Sequence, residues 1–257
     1  MKRIIVLSGL LLLLLFITGF AADQAPSQLM EKMISKAKEN DHLIDNYGFS
    51  LKSVTRQIDS DGNVKKEEVR VYKTVWIEDK PFPSLQTING KALNQDQQED
   101  EIKRREKFIT AIHSKNNEDA TAQLDLNWEE IANKYDYTVI SSDTSAPYVL
   151  DFQPKKGDLS ERSKIERIFN NLGGRIWLDH DCNLLKAETR LIRSVKFGLG
   201  VIAKVDTLDI AYQQGEFERV YLPSVLNVKF KARVALFKSM YQEVENSFSD
   251  FFHRPQS

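Results

Sequence analysis

The first apolar pattern after residue 25 has helical spacing. Leu29, Met33, Ala37 and Ile44 recur at helical steps, with Met30 and Ile34 beside them and Glu31, Lys32, Lys36, Lys38 and Glu39 outside. This predicts one amphipathic helix over 26–45, opened by Pro26 and Ser27 and ending near Asn46. From Phe49 the period changes to two. Phe49, Leu51, Ser53 and Thr55 alternate with Ser50, Lys52, Val54 and Arg56, and the return run alternates Val69, Val71, Val75 and Ile77 with Arg70, Tyr72, Thr74 and Trp76. Asp59-Ser60-Asp61-Gly62-Asn63 between them predicts a hairpin tip, because Asp-Gly tolerates positive φ. Pro81 and Pro83 are read as an interruption of the strand, and Asn89-Gly90 as a second tight turn.

Residues 94–115 return to helical spacing, with Ile102, Phe108, Ile109 and Ile112 as the expected buried stripe. The run Glu99-Asp100-Glu101 before Lys103-Arg104-Arg105 suits a helix macrodipole. Residues 114–127 read as a polar loop, and Asn127 as the cap of a short helix with Trp128, Ile131 and Ala132. Beyond Tyr135 the chain is mainly extended: 137–140, 148–152, 175–179, 184–195, 201–214, 218–237 and 241–251, with one helix over 160–172 stopped by Gly173-Gly174. Consecutive long strands with turn-like joints predict an α+β fold that is mainly antiparallel β. The expectation is a curved, half-open barrel of about eight to eleven strands with helices over its concave face, since a sheet that long must curl or close.

Residues 1–21 form a separate unit. Lys2 and Arg3 precede a nearly unbroken apolar run from Ile4 to Phe20, and Gly19 and Ala21 place small residues at a cut after Ala21. This is the pattern of a cleaved secretory signal peptide, and 22–257 is read as one domain that includes a charged helical insertion at about 94–119. The expected location is periplasmic or secreted, with no transmembrane span after cleavage. No Cys stands at the cut to carry a lipid; Cys182 is the only one in the chain, so no internal disulfide forms.

Over 257 residues, 41% apolar and 28% charged, the composition excludes a disordered or collagen-like chain. Lys plus Arg number 36 against 37 Asp plus Glu, so no basic excess points to nucleic acid. Asp179-His180-Asp181-Cys182 offers metal-ligand chemistry, but four consecutive residues do not converge on one ion; with Asn183 they read as a turn. Lys229, Lys231 and Arg233 alternate with Val228, Phe230, Ala232 and Val234, the signature of a strand with one solvated face. His42, His113 and His253 are scattered. There is no His-Glu-x-x-His, no Gly-x-Ser-x-Gly and no phosphate-cradling glycine loop. No catalytic set is assembled, so the expectation is a non-enzyme, with no metal and no cofactor.

Several stretches carry a family resemblance. They are Asp-Gly-Asn-Val-Lys-Lys at 61–66, Ile-Asn-Gly-Lys-Ala-Leu at 88–93, Val-Leu-Asp-Phe-Gln-Pro-Lys-Lys-Gly at 149–157, Leu-Gly-Gly-Arg-Ile-Trp-Leu-Asp at 172–179, Val-Lys-Phe-Gly-Leu-Gly at 195–200, Tyr-Leu-Pro at 221–223 and Phe-Ser-Asp-Phe at 248–251. With the element order they make the chain resemble the LolA-like, outer-membrane lipoprotein-sorting superfamily, most closely a branch of secreted bacterial proteins without an assigned activity. The resemblance implies a half-closed antiparallel barrel with helices in its mouth and acyl chains held between sheet and helices. The charged segment 94–119 departs from a minimal carrier. The residues expected to line such an apolar cleft are Phe49, Leu51, Trp76, Trp177, Leu191, Phe197, Leu199, Val228, Phe230 and Phe237. The expected ligand is an amphiphile, a lipid or the acyl chains of a lipoprotein. The alternative is a protein-interaction or envelope-sensing module that meets an envelope protein through the charged helix.

Overall fold

The computed structural model describes residues 25–113, 132–141, 146–157, 164–197, 203–234 and 238–255. The segment 1–21 expected to be a signal peptide, the short helix expected at Asn127, the segment 114–119, and the candidates Leu199 and Phe237 lie outside them.

Helix α1 (Pro26–Ile44) is followed by β1 (Tyr47–Ile58), β2 (Val64–Ile77), β3 (Lys80–Ile88), the two-residue β4 (Lys91–Ala92) and helix α2 (Gln95–His113). Then come β5 (Tyr135–Ser141), β6 (Tyr148–Pro154), the short α3 (Lys164–Phe169), β7 (Leu172–Leu178), β8 (Leu184–Leu191), β9 (Val195–Phe197), β10 (Ala203–Phe217), β11 (Val220–Val234) and β12 (Lys238–His253). The strands make one 12-stranded sheet in the order β4-β3-β2-β1-β12-β11-β10-β8-β7-β6-β5, with β9 alongside β10. Neighbours in it run antiparallel throughout. The expected meander is therefore present, with one long-range closure, β1 against β12. The expected barrel is corrected: the sheet has more strands than foreseen, and its end strands β4 and β5 do not meet, so a half-open barrel fits only loosely.

Three of the hairpins turn through two residues at positive φ: Glu78-Asp79, Asn89-Gly90 and Glu218-Arg219. That is the type I′ geometry whose twist matches the flanking strands. Only Asn89-Gly90 announces it in sequence. At the other two, long paired strands hold ordinary residues in a conformation that costs about 1–2 kcal/mol each. Pro81 and Pro83 do not interrupt a strand, as the sequence suggested; they lie within β3, opposite Trp76 and Thr74. A proline is tolerated where its missing N–H would point away from the ladder, as at the rim of a sheet.

Register gives the sheet two different faces. On one, charges alternate in sign strand by strand: Arg190 opposite Asp209, then Lys229, Glu243, Arg56 and Glu67. Arg56 pairs with Glu67 at 2.7 Å and Glu245 at 2.9 Å, and Lys229 with Glu243 at 3.3 Å. Cross-strand pairs of this kind favour one register over a slipped one. The Lys229–Lys231–Arg233 stripe belongs to this solvated face, and Arg233 is held by Asp206 at 2.9 Å.

The other face carries α1. Leu29 and Met30 pack with Tyr135, Leu150, Phe152, Ile176, Leu178 and Cys182, forming the main core. At the far end of the helix Ile44 packs on a second cluster of Tyr47, Val220 and Leu222, with Phe217 and Phe251. A helix of 19 residues is about 28 Å long, so α1 bridges strands that are far apart in the sheet.

Candidate functional site

The face under α1 is unevenly apolar. Across β10, β11 and β12 the rows read Leu208–Phe230–Gln242, Ile210–Val228–Val244 and Tyr212–Leu226–Asn246. Continuing into β1 they become Gln57, Thr55 and Ser53. The apolar patch is thus concentrated on β10 and β11, with Val244 at its border, and its side chains are half-buried. Helix α1 meets β11 beside it, and Asp41 of α1 lies close enough to Tyr212 to affect its phenol. Burial is the larger influence there and pushes the Tyr212 phenol up to about 12, so it stays neutral at physiological pH. Burial likewise raises the phenols of Tyr135 and Tyr137. None of the three supplies a group that titrates near neutrality.

A polar latch holds the helix down. The Asn40 side chain donates to the Tyr221 carbonyl at 2.6 Å and accepts from the Tyr221 N–H at 2.9 Å. The Tyr221 hydroxyl donates to Asp179 at 2.5 Å, in the β7–β8 turn. Asn40 occupies the stripe 33–37–40–44 that reads as apolar in helical spacing. A polar residue in that stripe is the sequence signal for the latch, and it is absent from the candidates that alternation and apolar content select. Around this latch lies a polar hollow of about 480 Å³, lined by Lys36, Glu39, Asn183 and Arg219 among others.

The larger concavity, about 730 Å³, is on the opposite, charged face. Asp151, Arg175, Glu188, Arg190, Asp209 and Lys229 line it. Arg175 is paired with Asp151 at 2.7 Å, and Lys186 with Glu188 at 2.6 Å.

The residues proposed from sequence disperse over this frame. Val228 and Phe230 lie in the apolar patch on β11. Leu51 stands opposite Phe248, whose ring meets Phe49 edge-on at 5.2 Å. Leu51 and Phe230 share a face but not a neighbourhood: Phe230 is level with Gln57, about 20 Å along β1 from Leu51. Phe49 sits in a bulge where β1 shifts register, and the Thr74 hydroxyl bonds both its N–H at 3.0 Å and its carbonyl at 3.2 Å. Leu191 ends β8 opposite Leu172. Trp76 packs edge-on against Phe252, 5.6 Å between ring centres, over Gly48, where no Cβ would fit. Trp177 lies on the charged face, under Lys186 at 4.5 Å and Arg175 at 5.7 Å. Phe197 is beneath Arg167 at 5.9 Å. One-strand alternation shows which residues share a face. It does not show which strands become neighbours, and that decides a cleft.

Helix α2 differs from its expected role. Ile102, assigned to the buried stripe, is 56% exposed. Phe108 and Ala111 do face inward, but in the first half of the helix the inward positions belong to Glu101 and Arg104, because α2 lies along the rim of β3 and meets backbone groups there. Glu101 accepts from the Leu85 N–H at 3.0 Å, and Arg104 donates to the Pro83 carbonyl and pairs with Glu101 at 2.7 Å. Arg104 also lies over the Phe82 ring at 4.2 Å.

No family model matches the chain, and no curated protein matches it. Among solved structures it is similar to a DUF1329 family protein from Desulfovibrio piger, at 12% identity and a TM-score of 0.33, over 90% of this chain and 94% of that one. It is also similar to an outer membrane lipoprotein-sorting protein domain from Vibrio parahaemolyticus, at 12% identity and a TM-score of 0.35, over 89% of this chain and 94% of that one. No helix among the described residues is long and apolar enough to cross a membrane.

Proposed function

We propose that the protein is a non-enzymatic binder of an amphiphile, a lipid or the acyl chain of a lipoprotein, acting in the periplasm or as a secreted protein. The ligand lies between α1 and the apolar patch of β10 and β11. The observation that carries this reading is the pairing of a half-buried apolar surface with a helix anchored at its two ends and latched at Asn40 by two hydrogen bonds. Each sequestered methylene contributes about 0.8 kcal/mol, so a long acyl chain binds without a specific polar contact. The residues that touch it are Leu208, Ile210, Leu226, Val228, Phe230 and Val244, of which the sequence reading named two. The rest of 22–257 serves as the scaffold of this one domain.

The test is native mass spectrometry of the protein purified gently from its own envelope fraction, followed by titration with a fluorescent palmitoyl probe. Co-purified lipid and saturable uptake are expected, with Val228→Asp weakening uptake at least about tenfold while the melting temperature shows an intact fold. An empty protein that takes up no probe, or a folded Val228→Asp variant with unchanged uptake, overturns the reading.

A further inference from the structure

The chain treats the two ends of its sheet differently. At the β3 end, Pro81 and Pro83 present no N–H to the outside, and α2 takes up the Pro83 carbonyl and the Leu85 N–H through Arg104 and Glu101. Phe108 of α2 packs on Phe82 at 5.0 Å. This is the usual protection of a strand that would otherwise recruit another. At the other end is β5, which among the described residues pairs with β6 alone.

The open groups of β5 follow from its register. Lys155 donates its N–H to the Lys134 carbonyl at 2.9 Å, so that pair is hydrogen-bonded. The next, Tyr135 opposite Pro154, is a non-bonded pair, as the missing proline N–H requires. Alternation then points the N–H and C=O of Tyr137 and Val139 away from β6. No described residue bonds to them. Val139 and Ile140 are 39% and 42% exposed, and a bulge at Ile140 ends the regular edge.

We propose that this edge pairs with β5 of a second copy of the chain, antiparallel about a twofold axis through Thr138. In that arrangement Tyr137 of each copy faces Val139 of the other, and four backbone hydrogen bonds form. The strand is self-complementary in charge. Its sole ionisable carboxylate, Asp136, falls opposite Ile140, so no like charges are opposed. Tyr137 and Val139 lie on the face that carries α1, so pairing joins the two apolar layers into one. A twofold contact of this kind is closed and does not propagate into a fibre.

Sedimentation velocity of the purified protein across a concentration series tests this. A dimer is expected. Val139→Pro removes an outward N–H without touching the β5–β6 ladder, and is expected to raise the dimer dissociation constant at least about tenfold with an unchanged circular dichroism spectrum. Val139→Lys, which keeps the N–H and sets two ammonium groups near the axis, gives the same result and decides the matter if the proline variant does not fold. A protein that stays monomeric at ~100 µM, a dimer that both folded variants leave intact, or a β5 edge occupied by a different protein overturns the proposal.

Discussion

Two turns in this molecule have the same sequence pattern and nearly the same hydrogen bonds, yet one is an exposed tip and the other part of the core. Asp59-Ser60-Asp61-Gly62-Asn63 joins β1 to β2, and Asp179-His180-Asp181-Cys182-Asn183 joins β7 to β8. In each, the first aspartate accepts from the N–H groups two and four residues on, at 2.9 and 2.9 Å in one and 2.9 and 2.8 Å in the other. In each, the fourth residue has positive φ, 89° at Gly62 and 65° at Cys182. A cysteine there carries backbone strain that glycine avoids. The difference is tertiary. Gly62 has nothing within 4 Å of where a Cβ would stand, whereas Cys182 is 2% exposed and belongs to the core under Leu29 and Met30. The second turn also receives the Tyr221 hydroxyl, and through it the latch on α1. A local motif that only shapes a hairpin in one place fastens a helix in the other.

The sharpest way to break that comparison is to remove the two aspartates separately. Asp179→Ala abolishes four hydrogen bonds and takes its carboxylate partner from the half-buried Tyr221 hydroxyl; a loss of about 2–3 kcal/mol is expected in urea unfolding. Asp59→Ala, at an exposed tip, is expected to lose clearly less. Equal losses would show that the turns act alike and that the latch contributes nothing.

The fourth position gives a smaller contrast. Gly62→Ala is expected to cost about 1 kcal/mol from backbone strain alone, since nothing crowds the new methyl group. Burial pushes the Cys182 thiol up, so native Cys182 is expected to react far more slowly with a thiol-directed disulfide reagent than after unfolding in urea. Fast labelling of the native protein would place the second turn outside the core.

The smallest effect is in pH. Burial alone would raise the Asp179 carboxyl, but hydrogen bonds from Tyr221, Asn183 and the Asp181 and Asn183 N–H groups outweigh it and hold the group below its ordinary value. The stability that this carboxylate contributes is therefore complete above the unfolded value, about 4, and is lost as pH falls through the lower folded value. Asp179→Asn is expected to be least damaging below about pH 4, and urea titrations at pH 3 and pH 7 read the difference. A penalty that does not change with pH would mean that the charge of Asp179 is irrelevant to the turn.

How far the fold can be read along the chain varies with the kind of evidence each element leaves. Helices α1 and α2 and the hairpins at 59–63, 89–90 and 179–183 announce themselves, because helical spacing, Asp-Gly or Asn-Gly pairs and clustered Asp and Asn at a turn are local signals. The turns at Glu78-Asp79 and Glu218-Arg219 do not, since ordinary residues are held there by strands that pair over many positions. The inward role of Glu101 and Arg104 is equally silent. A charged helix face looks solvated until a strand rim with unpaired carbonyl and N–H groups lies against it. The same holds for the candidate site: alternation named Val228 and Phe230, but the neighbours that make a patch of them, Ile210 and Val244, come from other strands.

By itself the sequence determined the mainly antiparallel α+β class, an amphipathic helix before the sheet, a charged helix in its middle and the polar side of β11. Periodicity and turn chemistry act over a few residues and need no partner. Only the tertiary structure decided which strands lie side by side, that the sheet stays open, where α1 crosses it, and that one of two matching turns is buried. Those are contacts between residues distant in the chain, such as Asn40 with Tyr221, and the free energy that selects them exists only once both partners are in place.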